Sequence, residues 1–161
     1  MNLIYDIIII GGGPNGIYCL KELLQVFQNK KIELIEKDSI ASNIKKYPNI
    51  LWHNELNMLC FDTENSNDTT HPDTNKVINY YIDYFNRKNL SFIKKKVINI
   101  EKEHKIFKIY FEDNTEIFSK YVILATGIFE NINLLNIDTN YSFINYSFSD
   151  LSTKNKNLVL I

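Results

Sequence analysis

Three glycines near the start of the chain have the spacing of a phosphate-binding turn. Gly11, Gly13 and Gly16 fit the pattern G-x-G-x-x-G. In such a turn the first glycine allows a tight bend, the second lets a pyrophosphate approach the backbone, and the third lets a helix pack close to a strand. The N–H groups that open this helix and the positive end of its dipole then face the phosphates. The spacing therefore predicts a binding site for a dinucleotide.

The residues between these glycines complete the turn. Pro14 suits the first helical position, because the N–H group that proline lacks would have no partner inside the helix. We therefore count Gly12, Pro14 and Asn15, together with the three glycines, as candidate cofactor-binding residues.

The segments on either side of the turn have the periodicity that such a site needs. Residues 7–10 are four consecutive isoleucines, which is typical of a strand that is buried on both faces. After the turn, apolar residues recur at helical spacing: Ile17, Leu20, Leu24 and Phe27. The order of strand, glycine turn and helix is the context in which this glycine pattern indicates nucleotide binding.

A carboxylate follows at the distance expected for a ribose ligand. Residues 31–36 read as a second strand that ends in Glu36, about 20 residues after Gly16. Such a carboxylate accepts hydrogen bonds from the hydroxyls of the adenosine ribose. We expect its removal to weaken binding with little loss of fold, and we count Lys37 beside it as a further candidate. The alternative, a glycine turn in an unrelated α/β protein with a solvated Glu36, accounts for fewer of these features together.

The composition of the chain excludes several other classes of protein. With 161 residues one domain is the default, and the net charge of -1 gives no electrostatic footprint for nucleic acid. The longest apolar runs are too short to cross a bilayer and no basic-then-apolar leader opens the chain, so we expect no membrane partner and a cytoplasmic location. Cys19 and Cys60 form neither a disulfide framework nor a close redox pair, and no metal-ligand cluster stands out. Catalytic residues are left unassigned.

The segment from residue 38 to residue 73 lacks periodicity. So long an irregular stretch in a compact domain is usually functional or disordered. Its apolar residues favour an ordered loop with buried anchors: Trp52, Leu56, Met58, Leu59 and Phe61. Two interpretations of Trp52 and His53 are open: they pack and cap this loop, or they lie near a cofactor ring.

The second half of the chain predicts one helix and several strands. A helix should begin near Asp73 or Thr74, which are both good caps. Alternation predicts short strands at residues 91–93, 97–100, 106–111 and 115–118, the last three forming a β-meander. Residues 121–124 read as another buried strand, and the small residues of the sequence ATG close it.

These features together resemble the FAD-binding part of flavoproteins with two dinucleotide-binding domains. The glycine turn, Glu36, the meander and the sequence ATG follow the order of that superfamily, which includes thioredoxin-reductase-like enzymes and flavin-containing monooxygenases. The resemblance implies an α/β, Rossmann-like FAD/NAD(P)-binding domain with a central parallel sheet and an antiparallel β-meander. It also implies FAD as the cofactor, with NAD(P)H as the co-substrate in full-length members of the family.

The same resemblance implies a role for most of the candidate residues. The three glycines of the turn would hold the FAD pyrophosphate, and Glu36 would hold the ribose. Val97 would meet the adenine through its backbone. The cofactor would be lined farther along by Ala125, Thr126 and Gly127.

Within this superfamily the chain is similar to the thioredoxin-reductase-like group that includes bacillithiol disulfide reductases. The similar stretches are IEK-x-x-I, Tyr47 followed by Pro48, and ATG followed by an aromatic residue and Asn131. Members of that group carry cysteine after the proline of the turn, whereas this chain has Asn15, which argues against a thiol-based step there. Flavin-containing monooxygenases usually have Gly-Gly after the second strand, and residues 40–43 lack it.

The expected reaction is hydride transfer from a nicotinamide to FAD and then to a disulfide, oxygen or another small-molecule acceptor. The resemblance implies an FAD-binding domain over residues 1–155, incomplete relative to the family, and the first strand of a missing NAD(P)H-binding domain at residues 156–161. The chain alone is therefore expected to be inactive. Open alternatives are a truncated product, a non-catalytic dinucleotide-binding module, NAD(H) in the first site, and a flavin-dependent monooxygenase; a homodimer is also open.

Overall fold

The computed structural model describes residues 3–61 and 67–127. These residues form six strands, three α-helices and a 3₁₀ helix. The strands are β1 (Ile4–Ile10), β2 (Ile32–Glu36), β3 (Ile93–Lys94), β4 (Val97–Glu103), β5 (Ile106–Phe111) and β6 (Glu116–Leu124). The helices are α1 (Pro14–Val26), α2 (Leu56–Leu59) and α3 (Thr74–Arg87), and the 3₁₀ helix is Ile44–Lys46.

The six strands belong to one mixed sheet with the order β3-β2-β1-β6-β5-β4. β1 pairs in parallel with both β2 and β6, and β2 pairs in parallel with β3. β4, β5 and β6 are antiparallel neighbours. The predicted parallel centre and antiparallel meander are both confirmed.

β1 occupies the centre of the sheet because its isoleucines are buried on both sides. Ile9 packs into a core cluster with Ile17 of α1 and Val77 of α3. Ile8 packs into a second cluster with Phe111 of the meander. Ile8 and Ile9 are fully buried, as the prediction of a strand with two buried faces requires.

α3 begins where the sequence predicts. Asp73 precedes it as the N-cap, and its side chain accepts a hydrogen bond of 2.7 Å from the backbone N–H of Lys76. β3 is shorter and later than predicted: it covers Ile93–Lys94, whereas the sequence favours residues 91–93.

Two strands of the prediction are one strand in the structure. The sequence predicts separate strands at residues 115–118 and 121–124, but β6 runs through both without a break. The polar residues Ser119 and Lys120 interrupt the apolar pattern between the two predicted strands, yet each finds a partner in the folded sheet. Ser119 is fully buried and its hydroxyl donates to a backbone carbonyl at 2.7 Å, while Lys120 Nζ lies 2.8 Å from Asp6 Oδ1.

Several apolar residues that periodicity predicts to be buried are exposed: Leu24, Phe27, Met58, Tyr121 and Leu124. In the last turn of α1, Leu23 packs against the core, which shifts the apolar side of the helix by one position. In β6 the packed residues are Val122 and Ile123, one in each core cluster. An apolar run marks a strand or helix but does not fix which members have a neighbour to pack against.

The carboxyl ends of the three central parallel strands meet at one edge of the sheet. Gly11 follows β1, Glu36 ends β2 and Ala125 follows β6. β1 has a parallel neighbour on each side, which makes this edge the place where an open α/β sheet forms a crevice for ligands.

Candidate dinucleotide-binding site

A groove with two adjoining compartments lies at this edge of the sheet. The small compartment has a volume of about 190 Å³ and the large compartment about 670 Å³. Both are lined by the same five residues where they meet: Gly11, Glu36, Ser42, Asn43 and Thr126. The groove is therefore continuous and elongated, as an extended dinucleotide requires.

The glycine turn is held by close backbone contacts at two of its glycines. Gly11 has φ of +115°, and a Cβ on it would lie 2.3 Å from the carbonyl oxygen of Ala125. A Cβ on Gly16 would lie 1.8 Å from the carbonyl oxygen of Gly11. These contacts bring α1 against the turn and the turn against the end of β6, in agreement with the packing role of the first and third glycines.

Gly13 differs from its two partners because it borders open space. A Cβ built on it would meet no atom within 4 Å, and the residue lines the large compartment with Pro14 and Asn15. Gly13 is the N-cap of α1 with no side-chain cap, and no acidic residue lies in the first turn of that helix. An anion in the groove can therefore take the place of a cap.

Glu36 is buried and binds the backbone of the turn. Its Oε2 accepts a hydrogen bond of 2.6 Å from the N–H of Gly12, and its Oε1 accepts one of 2.9 Å from the N–H of Asp38. A Cβ on Gly12 would lie 2.9 Å from the side chain of Glu36, so this glycine also makes room for the carboxylate. Removal of Glu36 would leave these backbone donors without their acceptor, so we no longer expect it to have little effect on the fold. Glu36 has a structural role in the turn in addition to its predicted role in ribose binding.

Glu36 nevertheless borders both compartments. An ionised carboxylate offers about four acceptor positions, and the described protein donors occupy three, the third being the hydroxyl of Ser42 at 3.5 Å. Capacity to accept from a ligand hydroxyl therefore remains.

The small compartment contains two more of the predicted residues, Lys37 and Val97. Val97 opens β4 next to a register irregularity between Val97 and Asn99. Lys95 and Lys96 also line this compartment, and their ammonium groups pair with Asp113 at 2.8 Å and with Glu112 at 2.6 Å. The lysines thus form the outer side of the small compartment.

The ATG sequence follows β6 at the same edge of the sheet, on the other side of β1 from Glu36. The N–H of Ala125 donates to the carbonyl of Ile10 at 2.8 Å, which continues the sheet one residue past β6. Ala125, Thr126 and Gly127 line the large compartment, and Gly127 has φ of +77°. The fold thus brings the predicted residues to one groove, except for Gly12 and Gly16, which are buried behind it.

Part of the groove comes from residues that the sequence did not single out for binding. They are Ser42, Asn43, Ile44, Tyr47, Ile50 and Leu51. Ala41 beside them has φ of +57° and donates its N–H to the carbonyl of Gly12 at 2.9 Å. Two features of the sequence lie in this segment: Tyr47 followed by Pro48, which is similar to the disulfide reductases, and residues 40–43, which lack the Gly-Gly of flavin-containing monooxygenases. Within the second, Ala41 adopts a conformation that favours glycine.

Trp52 and His53 both border the large compartment. Trp52 is half-buried and also packs against the main core, so it fits both interpretations of the sequence, whereas His53 is exposed. Neither Cys19 nor Cys60 forms a disulfide in the described part of the chain, and both pack against the same core. Behind the loop, burial raises the pKa of Tyr81, whose hydroxyl donates to the carbonyl of Leu59 at 3.3 Å as a neutral group.

The chain matches the pyridine nucleotide-disulphide oxidoreductase family over residues 8–161. That match covers most of the sequence, and the chain belongs to this family. The resemblance to the FAD-binding part of two-domain flavoproteins is thereby confirmed.

Solved structures of flavoprotein enzymes share the fold. The chain is similar to bacillithiol disulfide reductase Bdr (YpdA) from Bacillus cereus, with 28% identity and a TM-score of 0.70 over 84% of this chain and 43% of that protein. It is also similar to Bdr from Staphylococcus aureus, with 22% identity and a TM-score of 0.67 over 79% of this chain and 39% of that protein. A flavin monooxygenase mutant from Stenotrophomonas maltophilia has 16% identity and a TM-score of 0.69, over 80% of this chain and 39% of that protein.

The chain spans less than half the length of these solved relatives. No curated protein matches it at a significant level. Within residues 3–61 and 67–127, no helix is long and apolar enough to cross a membrane. The expectations for residues 156–161 and for Asn131 lie outside the described residues.

Proposed function

We propose that this chain is the FAD-binding portion of an NAD(P)H-dependent flavoprotein oxidoreductase. The observation that carries the proposal is the continuous groove in which the glycine turn, Glu36 and the ATG segment meet. Family membership and the flavoproteins among the solved relatives support the same cofactor.

The residues of the groove fit FAD in three respects. Gly13 leaves open space beside the uncapped start of α1, where a pyrophosphate would be held by backbone N–H groups. Among the described residues, Asn43 has a buried Oδ1 without a hydrogen-bond partner at the junction of the two compartments, where a ligand hydroxyl could donate to it. The large compartment is mainly apolar, which suits the broad face of the flavin ring, and the small compartment is bordered by Glu36, which can accept from a ribose hydroxyl.

In this proposal the adenosine lies in the small compartment and the flavin ring in the large one. Glu36 accepts from the ribose hydroxyls, Val97 borders the adenine, and the ATG segment borders the flavin end. When bound, FAD supplies the hydride and electron chemistry, while the protein orients it and excludes water.

The cysteines of this part of the chain bear on how electrons leave the flavin. Asn15 stands where the disulfide reductases of the resembling group have cysteine, and Cys19 and Cys60 lie in separate elements without a close spacing. We therefore propose a flavin that passes electrons directly to a disulfide, oxygen or another small molecule, without a dithiol relay in residues 3–61 and 67–127.

The test of cofactor identity is direct. The chain is purified with added FAD, and its visible absorption is measured after removal of free flavin, in parallel with calorimetric titration by NAD. We expect stoichiometric retained flavin and weak NAD binding. Tight NAD binding without retained flavin would instead assign the site to NAD(H).

A second candidate is a dinucleotide-binding module without its own turnover, for which the presence of one glycine fingerprint in the sequence is the supporting observation. Hydride transfer needs the nicotinamide within about 3–3.5 Å of the flavin, hence a second binding site. We expect residues 1–161 loaded with FAD to show no saturable oxidation of NADH or NADPH above a free-FAD control. Saturation well above that control would mean that the chain is a complete catalyst, for example as a homodimer.

A further inference from the structure

One side of the large compartment is an apolar wall, which we define as Ile44, Tyr47, Ile50, Leu51 and Trp52. Ile50 and Leu51 are 53% and 72% exposed, so this wall leaves apolar surface uncovered. Tyr47 and Trp52 lie edge to face, with ring centroids 6.5 Å apart and an interplanar angle of 63°. The wall therefore offers an apolar, partly aromatic surface of the kind that planar rings pack against.

The position of Trp52 in this wall is set by a residue outside the groove. Its indole N–H donates to Thr74 Oγ1 at 3.1 Å, and the Thr74 hydroxyl donates onward to the carbonyl of Pro48 at 2.8 Å. Thr74 is 2% exposed and is the first residue of α3. The polar edge of the indole is bound on the helix side, and Trp52 also packs against the main core. The part of the ring that lines the large compartment therefore presents apolar surface to the groove.

The backbone reinforces the same arrangement. The N–H of Thr74 donates to the carbonyl of Ile50 at 3.0 Å, and the N–H of Trp52 donates to the carbonyl of Pro72 at 2.8 Å. Leu51 forms a bridge with Asp73 in antiparallel sense. The wall is thus tied to the start of a helix of 14 residues, and Thr74 is the buried side chain that connects the two.

We propose that Trp52 packs against the planar fused ring of the bound ligand in the large compartment, and that Thr74 is the positioning residue that fixes the indole for this contact. The inference rests on the proposed function, in which that ring is the isoalloxazine of FAD. The inference goes beyond the proposed function by naming the wall that contacts the ring and the residue that holds that wall in place.

The test uses the fluorescence of the flavin, because an electron-rich indole in contact with an isoalloxazine quenches its emission whereas a phenyl ring does not. Trp52→Phe keeps an apolar ring and removes both the indole and its N–H. Thr74→Val has nearly the same shape as threonine without the hydroxyl, and Thr74→Ser keeps the hydroxyl as the matched control. Each purified full chain is loaded with FAD, and its emission is divided by the flavin content measured from absorption.

We expect strongly quenched flavin in the wild-type protein, a severalfold rise in emission per bound flavin in Trp52→Phe, a smaller rise in Thr74→Val, and wild-type emission in Thr74→Ser. Because the phenol of Tyr47 in the same wall can also quench a flavin, the comparison is repeated in a Tyr47→Phe background. Unchanged emission on loss of the Trp52 indole in both backgrounds would overturn the ring contact. Equal emission from Thr74→Val and Thr74→Ser would overturn the role of Thr74. These outcomes leave the proposed function intact, whereas absence of flavin from the wild-type protein would overturn both the proposed function and the ring contact. If circular dichroism shows that Thr74→Val does not fold, Trp52→Phe still tests the ring contact.

Discussion

The glycine turn and the apolar wall border the same compartment, yet different kinds of contact hold them in place. At Gly11 and Gly16 the turn is packed so closely against backbone atoms that a single Cβ would overlap them. The wall is held by hydrogen bonds to the start of α3, in which the Thr74 side chain takes part.

This difference determines how each region should respond to substitution. Backbone atoms packed against a glycine cannot move away without disturbing the sheet, so changes there should act in an all-or-none manner. Hydrogen-bonded side chains can be removed one at a time, so changes in the wall should act by degrees. The predictions below test this contrast, from the largest expected effect to the smallest.

Gly16→Ala should have the largest effect, and it should act on folding. Its new Cβ would lie 1.8 Å from the carbonyl oxygen of Gly11. We expect the free energy of unfolding to fall by about 3 kcal/mol or more, the upper end of the range for overpacking. Urea unfolding measures it, with Gly13→Ala as the matched control, which should change it by less than about 1 kcal/mol. Equal unfolding midpoints for the two variants would contradict the contrast.

Gly13→Val should abolish FAD binding and leave the fold in place. Gly13 has extended backbone angles that any residue adopts, and its missing side chain borders open space. The branched side chain would occupy the path of the pyrophosphate. The measurement is retained flavin after gel filtration, with circular dichroism to establish folding. A folded variant that keeps its flavin would refute the phosphate-binding role of this turn.

Glu36→Gln should affect both binding and stability. Glutamine keeps the shape but turns one acceptor into an N–H donor that opposes the backbone N–H of Gly12 or of Asp38. We expect FAD binding to weaken by at least about tenfold, since hydrogen bonds to a charged group contribute about 1.5–3 kcal/mol. The free energy of unfolding without FAD should fall by about 1–3 kcal/mol. Calorimetric affinity equal to wild type would mean that Glu36 serves the turn alone.

Ala41→Gly should have the smallest effect, and it should stabilise the protein. Ala41 has φ of +57° where the segment after β2 bonds back to Gly12. The left-handed conformation destabilises a residue with a Cβ by about 1–2 kcal/mol, and glycine relieves this strain. Glycine also loses more conformational entropy on folding, which offsets about 0.5–1 kcal/mol of the gain. We expect a net gain of about 0.5 kcal/mol in thermal or urea unfolding without FAD. Ala125→Gly, whose φ is not positive, is the comparison and should lose stability.

The local half of the site could be predicted from the sequence. The strand, the glycine turn, α1 and β2 ending in Glu36 all follow from residues close together in the chain, because glycine spacing and apolar periodicity act over a few residues. The family resemblance extended this to Val97 and the ATG segment, and the fold class is confirmed.

The errors occur where a residue depends on distant partners. Ser119 and Lys120 interrupt the apolar pattern, but the buried hydroxyl of Ser119 forms a hydrogen bond and Lys120 pairs with Asp6, so β6 continues. Similarly, the periodicity of α1 includes Leu24, while in the structure Leu23 packs against the core.

The sequence alone therefore determined the backbone conformation of the turn and the identity of the acid beside it, because both depend on covalent geometry and short spacing. Only the tertiary structure decided that Glu36 binds the turn itself, that the buried Oδ1 of Asn43 has no hydrogen-bond partner among the described residues, and that Thr74 anchors Trp52. The bonds of Glu36 and Thr74 join polar groups that are 24 and 22 residues apart in the chain. Burial removes water as a partner for such groups, so their bonding is settled by which chain segments the fold brings together.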